Sequence, residues 1–124
     1  MTQALAYIEE NQDRFQNELI ELLRIPSISH DAAHKADMHK AASWLADKLR
    51  AMGVDNVEII PTAEHPVVYG EWLNGGANAP TVLVYGHYDV QSPEPLEDWK
   101  SSPFEPEIRD NNLYARGASD MKGQ

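Results

Sequence analysis

The chain contains no cysteine, so disulfides, thiolate nucleophiles and thiolate metal sites are all excluded. A cysteine-free chain suits a reducing compartment, and any metal it binds must be held by imidazole and carboxylate. Basic residues are few. Ten Lys and Arg stand against twenty Asp and Glu, a formal charge of -10 that repels phosphate backbones and anionic lipid, so neither nucleic acid nor membrane is an expected partner. An acidic chain does suit a cation. No apolar run approaches membrane-spanning length, and the opening MTQALAYIEENQDRF has acids where a secretory leader carries bases. The chain therefore reads as cytoplasmic.

What is present is the composition of a packed domain. The 124 residues are 42% hydrophobic and 24% charged, within the range of one globular unit. From Gln3 to Arg24, Leu5, Ile8, Phe15, Leu19 and Leu22 recur on one stripe of a 3.6-residue period, which predicts an amphipathic helix ended by Ile25-Pro26. A polar connection, SISHDAAH, follows. A second helix is predicted over about Lys35 to Met52, with Ala41, Leu45, Leu49 and Met52 on one face and Gly53 as a left-handed cap. NVEII (56–60) and PVVYGEW (66–72) read as strands.

TVLVY (81–85) is continuously apolar and does not alternate, which suits a strand buried on both faces of a helix-covered sheet. The fold class is accordingly α/β. QSPEPLEDWKSSPFEPE, with four prolines, reads as an irregular loop, and EIRDNNLYAR as a hairpin turning at Asp110-Asn111-Asn112.

The TVLVY strand runs straight into Gly86-His87-Tyr88-Asp89-Val90. In extended chain, side chains two apart point the same way, so His87 and Asp89 share one side, at the strand end where open α/β sheets gather their sites. Two readings stand. The pair can be a loop histidine and a solvated turn carboxylate, or His87 can ligate a metal while Asp89 hydrogen-bonds its other ring nitrogen. Asp120, in Gly-Ala-Ser-Asp-Met-Lys-Gly (117–123), has the same ambiguity: a turn-forming side chain, or a carboxylate whose two oxygens bridge two cations.

Other signals are weaker. His30, His34 and His39 recur around the start of the second helix, but no carboxylate completes a recognisable zinc motif there. Trp99 and Phe104 fasten their loop or line a cleft, the first being favoured. Lys122 follows no phosphate-binding glycine pattern.

GHYDV (86–90) followed by WKSSPFEPEIRDNNLYARGASDMKGQ (99–124) resembles the clan MH zinc peptidases related to carnosine dipeptidase, acetylornithine deacetylase and carboxypeptidase G; LLRIPSIS is similar too. The resemblance implies the N-terminal part of a phosphorylase/hydrolase-like zinc peptidase catalytic domain, a mixed sheet flanked by helices, covering residues 1–124. By position it implies that His87 ligates a metal, that Asp89 orients His87, and that Asp120 bridges two zinc ions, with Mn or Co possible in their place.

The implied reaction is hydrolysis of an amide in a dipeptide or N-acyl amino acid, by water held at two metals. Met121 stands where many dipeptidase-like members have a second Asp, which leaves the substrate branch open. The family's base and remaining ligands have no match here, and Glu94, Glu97 and Glu105 fit no such position. The chain therefore reads as the first part of a longer enzyme, a homodimer in many members, and as inactive alone. The alternative is a non-catalytic fragment or interaction domain.

Overall fold

The N-terminal helical run is interrupted at Asn11. The computed structural model describes residues 2–124, and in it Thr2–Glu10 (α1) and Gln12–Leu23 (α2) are separate helices. Asn11 has φ -114 and ψ 13, and its side-chain Nδ2 donates to the Tyr7 carbonyl at 2.8 Å. The Asn11 N–H shares the same carbonyl at 3.1 Å, and a short amide side chain bonding nearby backbone favours a departure from regular helix, so the single predicted helix becomes two. The predicted stripe is also mostly uncovered. Leu5 and Ile8 are 57% and 49% exposed, and burial begins only at Leu22 and Leu23.

The chain divides into two compact units. One comprises the residues up to Ile25 together with Pro93–Gln124, the other Pro26–Ser92.

In the second unit, helix α3 (Lys35–Ala51) packs on an antiparallel ribbon of β1 (Asp55–Ile60) and β2 (Val67–Glu71). Met38, Ala41, Ala42 and Ala46 form the buried side of α3. The helix ends as predicted. Gly53 has φ +80, its N–H donates to Arg50 at 3.0 Å, and the Val54 N–H donates to Leu49 at 3.1 Å, the paired bonds of a Schellman cap. At Gly70 a side chain would press on Val54 and approach Leu49, so glycine there lets the ribbon lie close to the helix end. The register shifts between Asp55 and Glu58, where Asn56 takes φ 46, a bulge in β1.

Thr81–Tyr85 is not a strand. Val82, Leu83, Val84 and Tyr85 are 79–88% exposed, and among the described residues no segment pairs with them. An apolar pattern states which environment a segment suits; a strand also needs a hydrogen-bonding neighbour, and β1 and β2 pair with each other. Parallel pairing survives as one bridge, Ile28 with Val90.

In the first unit, β3 (Glu107–Arg109) and β4 (Asn112–Tyr114) form the predicted hairpin. Asp110 and Asn111 take φ 49 and 61, the left-handed pair of a tight turn that Asp and Asn tolerate. Asn112 belongs to β4 rather than to the turn.

Candidate functional site

Pro26-Ser27-Ile28-Ser29 lies alongside Tyr88-Asp89-Val90 and fixes it through main chain and side chain together. The Val90 N–H donates to the Ser27 carbonyl at 2.9 Å. The Ser27 hydroxyl, fully buried, donates to the Tyr88 carbonyl at 2.6 Å. Tyr88 in turn donates its phenolic O–H to the Pro66 carbonyl at 2.5 Å. Burial, and next the negative charge of Asp89, raise the Tyr88 pKa above its ordinary value.

On this frame His87 Nδ1 lies 3.0 Å from Asp89 Oδ1 and 3.2 Å from the Asp89 carbonyl. Both neighbours are acceptors. Both can accept from the neutral tautomer that carries its proton on Nδ1 and its lone pair on Nε2. The other carboxylate oxygen, Oδ2, accepts from the Ser29 hydroxyl at 2.6 Å. The Ser29 carbonyl accepts from His65 Nε2 at 2.7 Å. The His87 and Asp89 side chains are 38% and 33% exposed, so the pair is built into the fold yet open to solvent.

Asp120 belongs to the other unit and is exposed. Its segment is a tight turn: Gly117 has φ +85, and a side chain at Gly123 would run into the Ala118 carbonyl oxygen. The Asp120–Met121 peptide is cis. Lys122, nearly buried, donates its ammonium to the carbonyls of Leu22 at 3.0 Å and Ile25 at 2.7 Å. The Leu22 oxygen is in the last turn of α2 and the Ile25 oxygen lies just beyond its cap, where a cation also meets the negative end of the helix dipole.

The structure thus brings His87 and Asp89 into contact within one unit and sets Asp120 on a separate tight turn of the other. Imidazole nitrogen with a carboxylate behind its other nitrogen fits a borderline-soft divalent cation. Among the described residues no group of three or more His, Cys, Asp or Glu could hold a metal ion.

Of the other histidines, His34 Nδ1 pairs with Asp37 at 2.8 Å at the start of α3, a local contact. Trp99 is held within its own loop, its Nε1 donating to the Pro93 carbonyl at 2.8 Å. From the sequence alone Ser27, Ser29 and Tyr88 have no role, and His65, between Glu64 and Pro66, reads there as a turn residue. The one available signal was the alternation Ser-Ile-Ser, which in extended chain puts both hydroxyls on one side of a buried isoleucine.

Comparison with known proteins follows the same residues. The model of Peptidase family M20/M25/M40 matches residues 83–124. The succinyl-diaminopimelate desuccinylase of Thiobacillus denitrificans is 42% identical over 103 residues, 83% of this chain and 24% of that protein. Human carnosine dipeptidase 1 superposes with a TM-score of 0.85 at 30% identity, covering 95% of this chain and 27% of its own. The M20 metallo-carboxypeptidase Sso-CP2 of Sulfolobus solfataricus gives a TM-score of 0.74 at 42% identity, over 85% of this chain and 23% of its own.

The fold is therefore α/β and matches the corresponding part of these two enzymes. Over the residues compared, the chain is similar in sequence and structure to M20 enzymes. It spans about a quarter of the length of the relatives it matches. No helix among the described residues is long and apolar enough to cross a membrane.

Proposed function

We propose that this chain supplies part of the dinuclear metal site of a cytoplasmic M20 amide hydrolase, with His87 as a ligand, Asp89 as its orienting carboxylate and Asp120 as the carboxylate bridging two zinc ions. The observation that carries this reading is the 3.0 Å contact of Asp89 with His87 Nδ1, which presents the opposite ring nitrogen as a metal donor. When bound, two such ions lower the pKa of water and polarise a carbonyl. The chain's own residues have narrower tasks. Asp89 holds the ring in one tautomer, Ser27 and the Ile28–Val90 bridge fix the backbone that carries it, and Lys122 anchors the turn of Asp120 to α2.

The substrate is an amide beside a free carboxylate, in a dipeptide or an N-acyl amino acid. Met121 and the 42% identity to a desuccinylase favour the N-acyl branch. With two candidate metal ligands, His87 and Asp120, against the three or four that each ion needs, the 124-residue chain alone is proposed to bind zinc weakly and to hydrolyse nothing. The whole enzyme is proposed to act as a homodimer.

Zinc titration by calorimetry tests this, paired with assays on N-succinyl amino acids and dipeptides. His87→Ala and Asp120→Ala should each lower zinc affinity in the enzyme carrying this chain by more than tenfold and abolish turnover. Robust zinc-dependent dipeptide cleavage by the 124-residue chain itself, lost in Asp120→Ala, would overturn the division of the site. Unchanged zinc affinity in both variants would favour a non-catalytic interaction domain.

A further inference from the structure

We infer that Ser29 is a positioning residue for the His87–Asp89 pair, an inference that rests on the metal-site reading above. A carboxylate facing a histidine can rotate about its terminal torsion and offer either oxygen, or swing away to water. Here each oxygen has its own partner. Oδ1 faces His87 Nδ1 at 3.0 Å and Oδ2 accepts the Ser29 hydroxyl at 2.6 Å. Ionised carboxylate only accepts, so the serine must donate, and a bond to charge is among the stronger of its kind.

The contact is not a local turn. Ser29 and Asp89 are 60 residues apart, whereas a serine that serves a loop bonds within two or three positions of itself. Ser29 is itself held: its carbonyl accepts from His65 at 2.7 Å, and its neighbour Ile28 bridges Val90. The hydroxyl therefore approaches Asp89 from a fixed direction. It locks the carboxylate plane, which locks the imidazole tautomer and the line along which His87 Nε2 meets a cation. The ligand concerned is a divalent metal ion of zinc character.

The test combines nitrogen NMR of the His87 ring, at a pH where it is neutral, with zinc calorimetry on the whole enzyme carrying this chain. The parent protein should show the Nδ1–H tautomer. Ser29→Ala should give mixed tautomers and weaken zinc by about tenfold to a hundredfold, while Ser29→Thr, which keeps the hydroxyl, should restore both. An Nε2–H tautomer in the parent overturns the inference without any variant, so failure of Ser29→Ala to fold does not protect it. A folded Ser29→Ala with the parental tautomer and affinity overturns it too. If instead His87→Ala leaves zinc affinity unchanged, the metal reading falls, and the tautomer alone decides on Ser29.

Discussion

The ammonium of Lys122 lies 2.7 Å from the main-chain oxygen of Ile25 and 3.0 Å from that of Leu22. A residue near one end of the chain thereby closes the last turn of a helix near the other. Both oxygens would lose this donor in Lys122→Met, which keeps the length of the side chain but not its charge. Hydrogen bonds to a charged group contribute about 1.5–3 kcal/mol, so urea unfolding should show a loss of about 2 kcal/mol or more. An unchanged midpoint would mean that the ammonium serves no structural purpose.

Two glycines should respond differently to alanine. At Gly53, φ +80 with open space around the missing side chain, the cost is left-handed backbone alone, about 1–2 kcal/mol. At Gly123 the new methyl meets the Ala118 carbonyl, and the turn holding Asp120 has to move. Gly123→Ala should therefore be the more damaging by thermal melting, and equal losses would contradict the packing described.

Alkaline pH should weaken the fold through Tyr88. Burial first, and Asp89 next, raise its pKa above the ordinary 10.0, so the folded protein favours the neutral phenol. That contribution is fully present below the unfolded value and is lost as pH rises through the folded one. Tyr69 is raised as well, chiefly by its hydrogen bond to Glu71, so Tyr69→Phe is needed as the background. On that background Tyr88→Phe should flatten the decline in denaturant midpoint above pH about 10, at the cost of the bond to Pro66. A decline as steep as before would assign it elsewhere.

The exposed Thr81–Tyr85 segment makes the opposite forecast from its sequence. With no ladder partner among the described residues, its amides should exchange with solvent as fast as those of an unstructured peptide, while those buried in α3 are protected. Strong protection across Val82 to Tyr85 in a monomeric sample would refute this. Leu83→Lys should reduce self-association, since an apolar unpaired segment templates pairing between chains.

The residues explain why some features were legible in the sequence and others were not. Local signals survived: the cap at Gly53, the Asp110-Asn111 turn, and β1 and β2 are each dictated by a few neighbouring side chains. Asn11 was legible in principle, but the apolar stripe that continues on both sides of it outweighed one amide. TVLVY failed because periodicity reports preference and not partnership. For the site, His87 and Asp89 were visible through spacing two, and the structure brings them together. Ser29 was not, because its bond to Asp89 joins positions 60 apart, and no single-sequence pattern registers such a pair.

The clamp between residues 27–29 and 88–90 also sets what this scaffold tolerates. Lengthening an exposed loop within the excursion that separates the two stretches should be cheap, about 0.6 kcal/mol for each doubling of a flexible loop. A slip of one position between them would turn Ser29 to the far face. A short synthetic peptide carrying His-x-Asp would lack the opposing serines altogether, so transplanting the motif to another protein requires moving both stretches as a unit.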